Sequence, residues 1–329
     1  MKNATTINDV AKMAGVSKST VSRYLNGKPI KEATSEKIKK AIEETNYQAN
    51  MFARLSAKKS YIIGIVVPGF YSTVIPRILT SVDKYLRTKN YTPLIMNTEN
   101  DIDIESKCIE NLDHMRVDGI IIVASCITDR HKEIVQNIST PVVFMGQEFK
   151  EGVSIVDDNY HAGYEIGKYV AEAGIKSACC LWVDEKDIQV GKIRKEGVIN
   201  GLKDYGTLNI TEQPTDFTYD TSYKQALSLL QQEDRPEAVL CSSDRIAHGV
   251  YKACIELGLK IPEDVSVTGF GGYDTSEILN PPLTTIKFDV ETSAYVCADT
   301  ILKMNDDEPV SKKQVIGFKF IEGKSIKCS

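Results

Sequence analysis

Residues 6–27 read TINDVAKMAGVSKSTVSRYLNG, and their spacing predicts two short helices joined by a tight turn. Ile7, Val10, Ala11 and Ala14 recur at helical intervals, so one face of the first helix is apolar. Gly15 follows, where a helix C-terminus needs a residue that tolerates positive φ. Ser17 is a good N-cap for a second helix, Lys18 to Leu25, whose Val21 and Leu25 face the first. Lys18, Ser19, Ser22 and Arg23 are left pointing outward, and Asn26-Gly27 ends the helix. Small and basic outward residues at a helix N-terminus suit base-edge and phosphate contacts in a DNA major groove. Ordinary helical proteins also contain such turns, so the charge has to decide. Residues 1–60 hold 12 Lys/Arg against 5 Asp/Glu, a net of +7, whereas residues 61–329 hold 28 against 40, a net of −12. A basic head can hold phosphates, and an acidic body is discouraged from sticking to DNA nonspecifically. The head therefore reads as a double-stranded DNA reader.

Working outward, a third helix is expected over Glu32 to Asn46, with Ile38, Ala41 and Ile42 as its inward stripe. This bounds a head at 1–47 and a short, weakly amphipathic, basic linker at 48–60. From residue 61 the texture changes to strand–helix alternation. Near-continuous apolar runs at Ile62–Val67, Thr92–Met96, Gly119–Val123, Pro141–Met145, Ser177–Trp182, Ala238–Cys241 and Val265–Phe270 alternate with helical stretches such as Val74–Thr88 and Tyr160–Ala173. Apolar strands joined by helices mean α/β structure with parallel, doubly wound sheets. Two successive sets, the second starting near Tyr160, predict two similar lobes with a cleft between them. At 329 residues with 42% hydrophobic content, there is material for both.

Several function classes are excluded by what the chain lacks. No GxSxG elbow, HExxH pair, P-loop or strand-to-helix GxGxxG is present, and the adjacent Asp157 and Asp158 make a poor acid/base pair, so no enzyme is expected. The eight cysteines show no zinc spacing and the four histidines are scattered, so no metal or other cofactor is expected either. No apolar leader and no run of about 18 apolar residues occurs, which predicts a soluble, cytoplasmic protein without a membrane partner.

Open parallel sheets bind ligands beyond the C-terminal ends of their strands. Reading those positions yields Phe70, Tyr71, Gln147, Asp158, Trp182, Asp244, Tyr273 and Asp274, with Arg194 on the first turn of the helix after Trp182. Flat aromatics mixed with carboxylate, amide and guanidinium groups suit a sugar, whose C–H faces stack and whose hydroxyls pair with polar forks. Strand-end loops are polar in any case, and some of these residues could simply cap helices.

Taken together, these residues resemble the LacI/GalR family of bacterial repressors, nearly end to end. The head resembles it in residues 6–27. The body does so in IGIVVP (63–68), VDGIIIVAS (117–125), DNYHAG (158–163), RKEGVINGL (194–202), SSDRIAHGVYKACIELGLKIPEDVSVTGFGGYD (242–274) and PPLTTIKFD (281–289). GFGGYD with DNYHAG is similar to the sucrose-operon repressors within that family. The resemblance implies a helix-turn-helix head, a hinge and a body like periplasmic sugar-binding proteins, with an N-lobe of about 61–159 and 289–318 and a C-lobe of about 160–288 and 319–329. It implies a homodimer on pseudo-palindromic operator DNA, released by a small sugar effector. Lys18 and Ser19 would read bases, with Arg23 one turn on, while Thr6, Ser17, Thr20, Ser22 and Asn26 would sit on phosphates. Leu55 would wedge into the minor groove, and Arg194 would grip the ligand. Three departures stand out: a hinge one residue shorter than usual, Gly271-Gly272 where many members carry two acids, and Ser243 in place of a common Asn. A global regulator working with a protein corepressor, a purine-responsive member, and a sugar-binding protein with no DNA role stay open as alternatives.

Overall fold

The computed structural model describes residues 5–25, 29–47, 59–70 and 72–327, and it divides into two compact units, 1–60 and 61–329. The linker 48–58, Asn26, Leu55 and Tyr71 lie outside the described residues.

Among its described residues the first unit has three helices, α1 (Ile7–Ala14), α2 (Lys18–Leu25) and α3 (Glu32–Thr45). Val10, Val21 and Ile38, all inaccessible to solvent, form its core with Ala11, Ala14 and Ala41. The turn between α1 and α2 depends on Gly15, which takes φ 64°, a left-handed conformation that costs glycine little. Thr6 and Asp9 close the start of α1: Thr6 N–H and Oγ1 both donate to Asp9 Oδ2, at 2.8 and 2.7 Å.

The second unit holds two six-stranded sheets. In chain order its elements begin β1 (Ile62–Val67), α4 (Val74–Thr88), β2 (Thr92–Asn97), α5 (Ile102–His114), β3 (Gly119–Val123), α6 (Asp129–Asn137), β4 (Val142–Met145) and β5 (Val153–Asp157). The chain then crosses into α7 (Asn159–Glu172), β6 (Ser177–Trp182), a π-helical turn (Ile188–Arg194), α8 (Lys195–Asp204), β7 (Asn209–Pro214), α9 (Tyr219–Leu230), β8 (Ala238–Cys241), α10 (Asp244–Leu257), β9 (Ser266–Phe270), α11 (Asp274–Glu277) and β10 (Thr284–Phe288). It ends with α12 (Val290–Asn305), β11 (Lys313–Ile316) and β12 (Phe318–Ile321). The first sheet runs β11-β5-β4-β3-β1-β2 and is wholly parallel. The second runs β12-β10-β9-β8-β6-β7 and is parallel except for β12, which returns antiparallel along β10.

The chain changes sheet three times, after β5, after β10 and after β11, and each time a single residue, Asp158, Asp289 or Gly317, separates that strand from the next element. Each sheet has its own core. One is built on Ile63, Ile65, Ile121, Val143 and Ile155, and the other on Cys180, Leu181, Val239, Leu240, Val267 and Ile286. Burial on both faces explains why β1 reads IIGIVV without a polar residue. The cysteines at 108, 179, 180, 241, 254 and 297 are buried free thiols packed as small apolar groups. Among the described residues, no helix is long and apolar enough to cross a membrane.

Candidate functional site

In the head, the residues expected at DNA separate into two kinds. Lys18, Ser19 and Arg23 are exposed on α2, and Arg23 Nη2 donates to the Pro29 carbonyl at 3.2 Å, so one edge of its guanidinium is steadied. Ser17 and Thr20 are tied to each other: Thr20 N–H donates to Ser17 Oγ at 3.2 Å, capping α2, and the two hydroxyls lie 2.8 Å apart. Ser22 is half-buried, and Thr6 is exposed at the start of α1 with its hydroxyl on Asp9. These groups present hydroxyls, a helix N-terminus and two cations on one small scaffold.

In the body, the chemistry concentrates around Arg194, the last residue of the π-helical turn. Its Nε and Nη2 donate to Asn159 Oδ1 at 2.9 and 2.6 Å, and its Nη1 donates to the Ser242 carbonyl at 2.8 Å. The ring centroids of Phe270 and Phe288 each lie 4.8 Å from the guanidinium carbon, as two cation–π partners. Burial pushes Arg194 down to about 10, offset in part by the carboxylates of Asp187 and Asp157, so it remains a cation at neutral pH. Burial in turn raises both of those carboxyls above their ordinary range.

The geometry is set by glycine. α7 carries Asn159 and α8 follows Arg194, and the two helices meet backbone to backbone. A Cβ on Gly163 would lie 2.2 Å from the Arg194 carbonyl oxygen, and one on Gly197 would lie 2.1 Å from that of Tyr160. Gly167 and Gly201 repeat the arrangement one turn further on. Only side-chain-free ridges allow this approach, which brings Asn159 within reach of Arg194. Asn159 Nδ2 also donates to Gln189 Oε1 at 3.1 Å, closing a buried polar chain.

One tie joins the lobes at this place: Gln147 Nε2, from the first lobe, donates to Asp187 Oδ1 in the second at 2.7 Å. Phe70 and Asp274 are exposed beyond the ends of β1 and β9, one in each lobe.

Three of the expected ligand contacts have other duties. Asp244 is fully buried, and its carboxylate accepts Thr285 Oγ1 at 2.5 Å, Ser276 Oγ at 2.8 Å and Tyr273 N–H at 3.0 Å, so it clamps the loop after β9 instead of facing a ligand. Trp182 points into the second core, edge-on to Phe270, with Nε1 donating to the Val190 carbonyl at 2.8 Å. Asp158 caps α7 and pairs with His161 Nδ1 at 2.8 Å. The two glycines also have a local reason. Gly272 takes φ 57°, and a Cβ there would lie 2.5 Å from Lys287 Cβ, so an acid cannot occupy this turn as it stands. Asn159, Asp187, Gln189, Phe270 and Phe288 were not among the expected contacts. The rule of looking just past each strand finds Asn159, misses the two phenylalanines inside strand ends, and gives no signal for Asp187 and Gln189.

Residues 6–50 match the family described as bacterial regulatory proteins, lacI family, and residues 168–326 match a periplasmic binding protein-like domain. The sucrose operon repressor of Staphylococcus xylosus is 33% identical over 319 residues, which is 96% of this chain and 98% of that protein. The HTH-type transcriptional repressor PurR of Vibrio atlanticus is 32% identical, covering 85% of this chain and 86% of its own. Among solved structures, the lac repressor dimer bound to operator and the anti-inducer ONPF aligns with a TM-score of 0.89 at 23% identity, over 99% of this chain and 100% of that one.

Proposed function

This chain belongs to the lacI family of bacterial regulatory proteins, and from that premise we propose that it represses a carbohydrate-utilisation operon, with sucrose as the leading effector. Membership makes it a DNA-binding transcriptional repressor rather than an enzyme. In this reading a homodimer holds a pseudo-palindromic operator through Lys18, Ser19 and Arg23, and a small sugar entering between the lobes at Arg194 releases it.

The observation that carries the reading is the Arg194 assembly. Three of its N–H directions are spent on Asn159 and Ser242, and the rings of Phe270 and Phe288 each pack against its guanidinium at 4.8 Å. A cation fixed on this many sides is preorganised, so a ligand meeting its remaining N–H groups pays little ordering cost. A sugar can release the operator only by preferring one lobe arrangement over another, and a coupling of about 1–3 kcal/mol weakens operator binding roughly 5- to 150-fold.

The test is operator affinity, on sites selected from random duplex DNA, with and without sucrose, glucose, fructose and ribose. Thermal unfolding of the body is followed in parallel. A sugar at about 100 times its Kd adds roughly 2.7 kcal/mol of stability. Stabilisation together with operator release is the expected result. If Arg194→Ala leaves both unchanged, the reading is wrong. Purine bases in the same panel test the purine-responsive alternative, and intact operator binding with a silent panel points to a protein corepressor.

A further inference from the structure

Asp187 sits just before the π-helical turn, and three observations converge on it. It caps that turn, its Oδ1 accepting the Val190 N–H at 2.9 Å, and the turn ends in Arg194. Carboxylate and guanidinium therefore belong to one short element and keep their spacing. The same Oδ1 accepts Gln147 Nε2 from the opposite lobe at 2.7 Å. The orientation of that amide is dictated by its surroundings: Gln147 is 2% exposed, and its Nε2 also faces the Ser125 carbonyl at 3.2 Å. Both neighbours are acceptors, so the NH2 end must face them. Finally, Asp187 is half-buried, and a carboxylate partly withdrawn from water needs a donor.

To a carboxylate, an amide N–H and a sugar hydroxyl are interchangeable: each is a neutral donor at about 2.7–2.9 Å. We propose that Asp187 accepts a hydroxyl of the effector, and that Gln147 holds its place until the effector arrives. The assignment rests on the sugar reading above and narrows it to an uncharged polyol. The hydroxyl goes to Asp187, and oxygens of the same ring go to the two Arg194 N–H groups not spent on Asn159 and Ser242. A phosphorylated or carboxylated sugar would bring a second anion against Asp187 and Asp157. Displacement of Gln147 also breaks a tie between the lobes, so the effector gains a contact in one arrangement that is absent in the other.

The two ends of this hydrogen bond should respond with opposite signs. The full-length protein is titrated calorimetrically with sucrose and, in parallel, with fructose, glucose and ribose. Gln147→Met keeps the length of the side chain and removes the donor, so sugar affinity should tighten about tenfold. Asp187→Asn keeps a good helix cap but loses the anionic acceptor, so affinity should weaken about tenfold or more. The double variant should bind sugar more weakly than Gln147→Met alone, because the acceptor that Gln147→Met frees has lost its charge. Circular dichroism melts check folding, and Gln147→Ala substitutes if the Met variant fails. If both single variants weaken binding, or both tighten it, the pair is only a tie between lobes and the assignment is wrong. If the wild type binds none of the four sugars, the sugar reading falls first, and this assignment with it.

Discussion

Gly163→Ala places one methyl group where the structure has no room and tests how Arg194 is held. The added Cβ would lie 2.2 Å from the Arg194 carbonyl oxygen and 3.0 Å from the Val198 nitrogen, against about 3.4 Å for an ordinary contact. Both obstacles are backbone, so no side chain can swing aside, and α7 must retreat from α8 by about 1 Å. Asn159 stands at the start of α7, and its 2.6 Å bond to Arg194 Nη2 must lengthen with that retreat. Overpacking of this kind costs about 1–3 kcal/mol, and the rigid surroundings argue for the upper half. For a unit of this size that lowers the thermal midpoint by roughly 4–12 °C. Gly317→Ala is the control, since a Cβ there meets nothing within 4 Å and its φ is not left-handed, so it should change stability by less than about 0.5 kcal/mol. Differential scanning calorimetry of both variants, followed by sucrose titration, reads stability and site together. A midpoint within about 2 °C of wild type for Gly163→Ala, or unchanged sugar affinity after a large drop, would refute the claim that the glycine ridge positions Arg194.

Arg194→Lys keeps the charge but not the planar fork that reaches Asn159 and Ser242 at once, so the body should lose about 3 kcal/mol in chemical denaturation, with sugar affinity falling alongside. Asp157 carries a carboxyl raised by burial, so its stabilising effect is full below the ordinary 3.8 and is lost as pH rises through the raised value. Asp157→Asn cannot suffer that loss, and its thermal midpoint relative to wild type should climb between about pH 4 and pH 7; a difference that stays flat or falls counts against the burial argument. Lys18→Ala leaves the head folded, since Lys18 is exposed, and should reduce the slope of log K against log salt for operator binding by about 1.

The architecture was legible because its central strands are buried on both faces. IIGIVV at 62–67 and GIIIV at 119–123 have no polar alternation to confuse them. Of the four edge strands only Thr92–Asn97 was legible, and the other three were not for the opposite reason. Asn209–Pro214 and Lys313–Ile316 each have a half-exposed face and pair on one side only, so neither forms an apolar run. The antiparallel β12 hides for the same reason in FKFI. At the site, position past a strand identifies the right end of the sheet but not the direction of a side chain. Trp182 and Phe270 are both last residues of strands, and both turn into the core, yet one packs on the other while only Phe270 reaches Arg194. Asp244 looked like a ligand grip because it follows a strand. Its three donors come from residues 29 to 41 positions away, which no local pattern encodes.

The separate cores of the two lobes bear on how the body could switch. Neither the Ile63–Ile155 cluster nor the Cys180–Ile286 cluster draws residues from the other sheet, so one lobe can turn against the other without repacking either interior. Each crossing has a single residue between elements, Asp158, Asp289 or Gly317, which suits it to absorb a rotation in a few backbone dihedrals. The energetic difference between arrangements can then be carried by the tie at the cleft from Gln147 to Asp187. A hydrogen bond to a charged group contributes about 1.5–3 kcal/mol net and a neutral one about 0.5–1.5 kcal/mol. A useful allosteric coupling is about 1–3 kcal/mol, so exchanging the Gln147–Asp187 bond alone is sufficient in magnitude. A much stronger tie would lock the body shut against any sugar, and a much weaker one would leave the ligand nothing to trade.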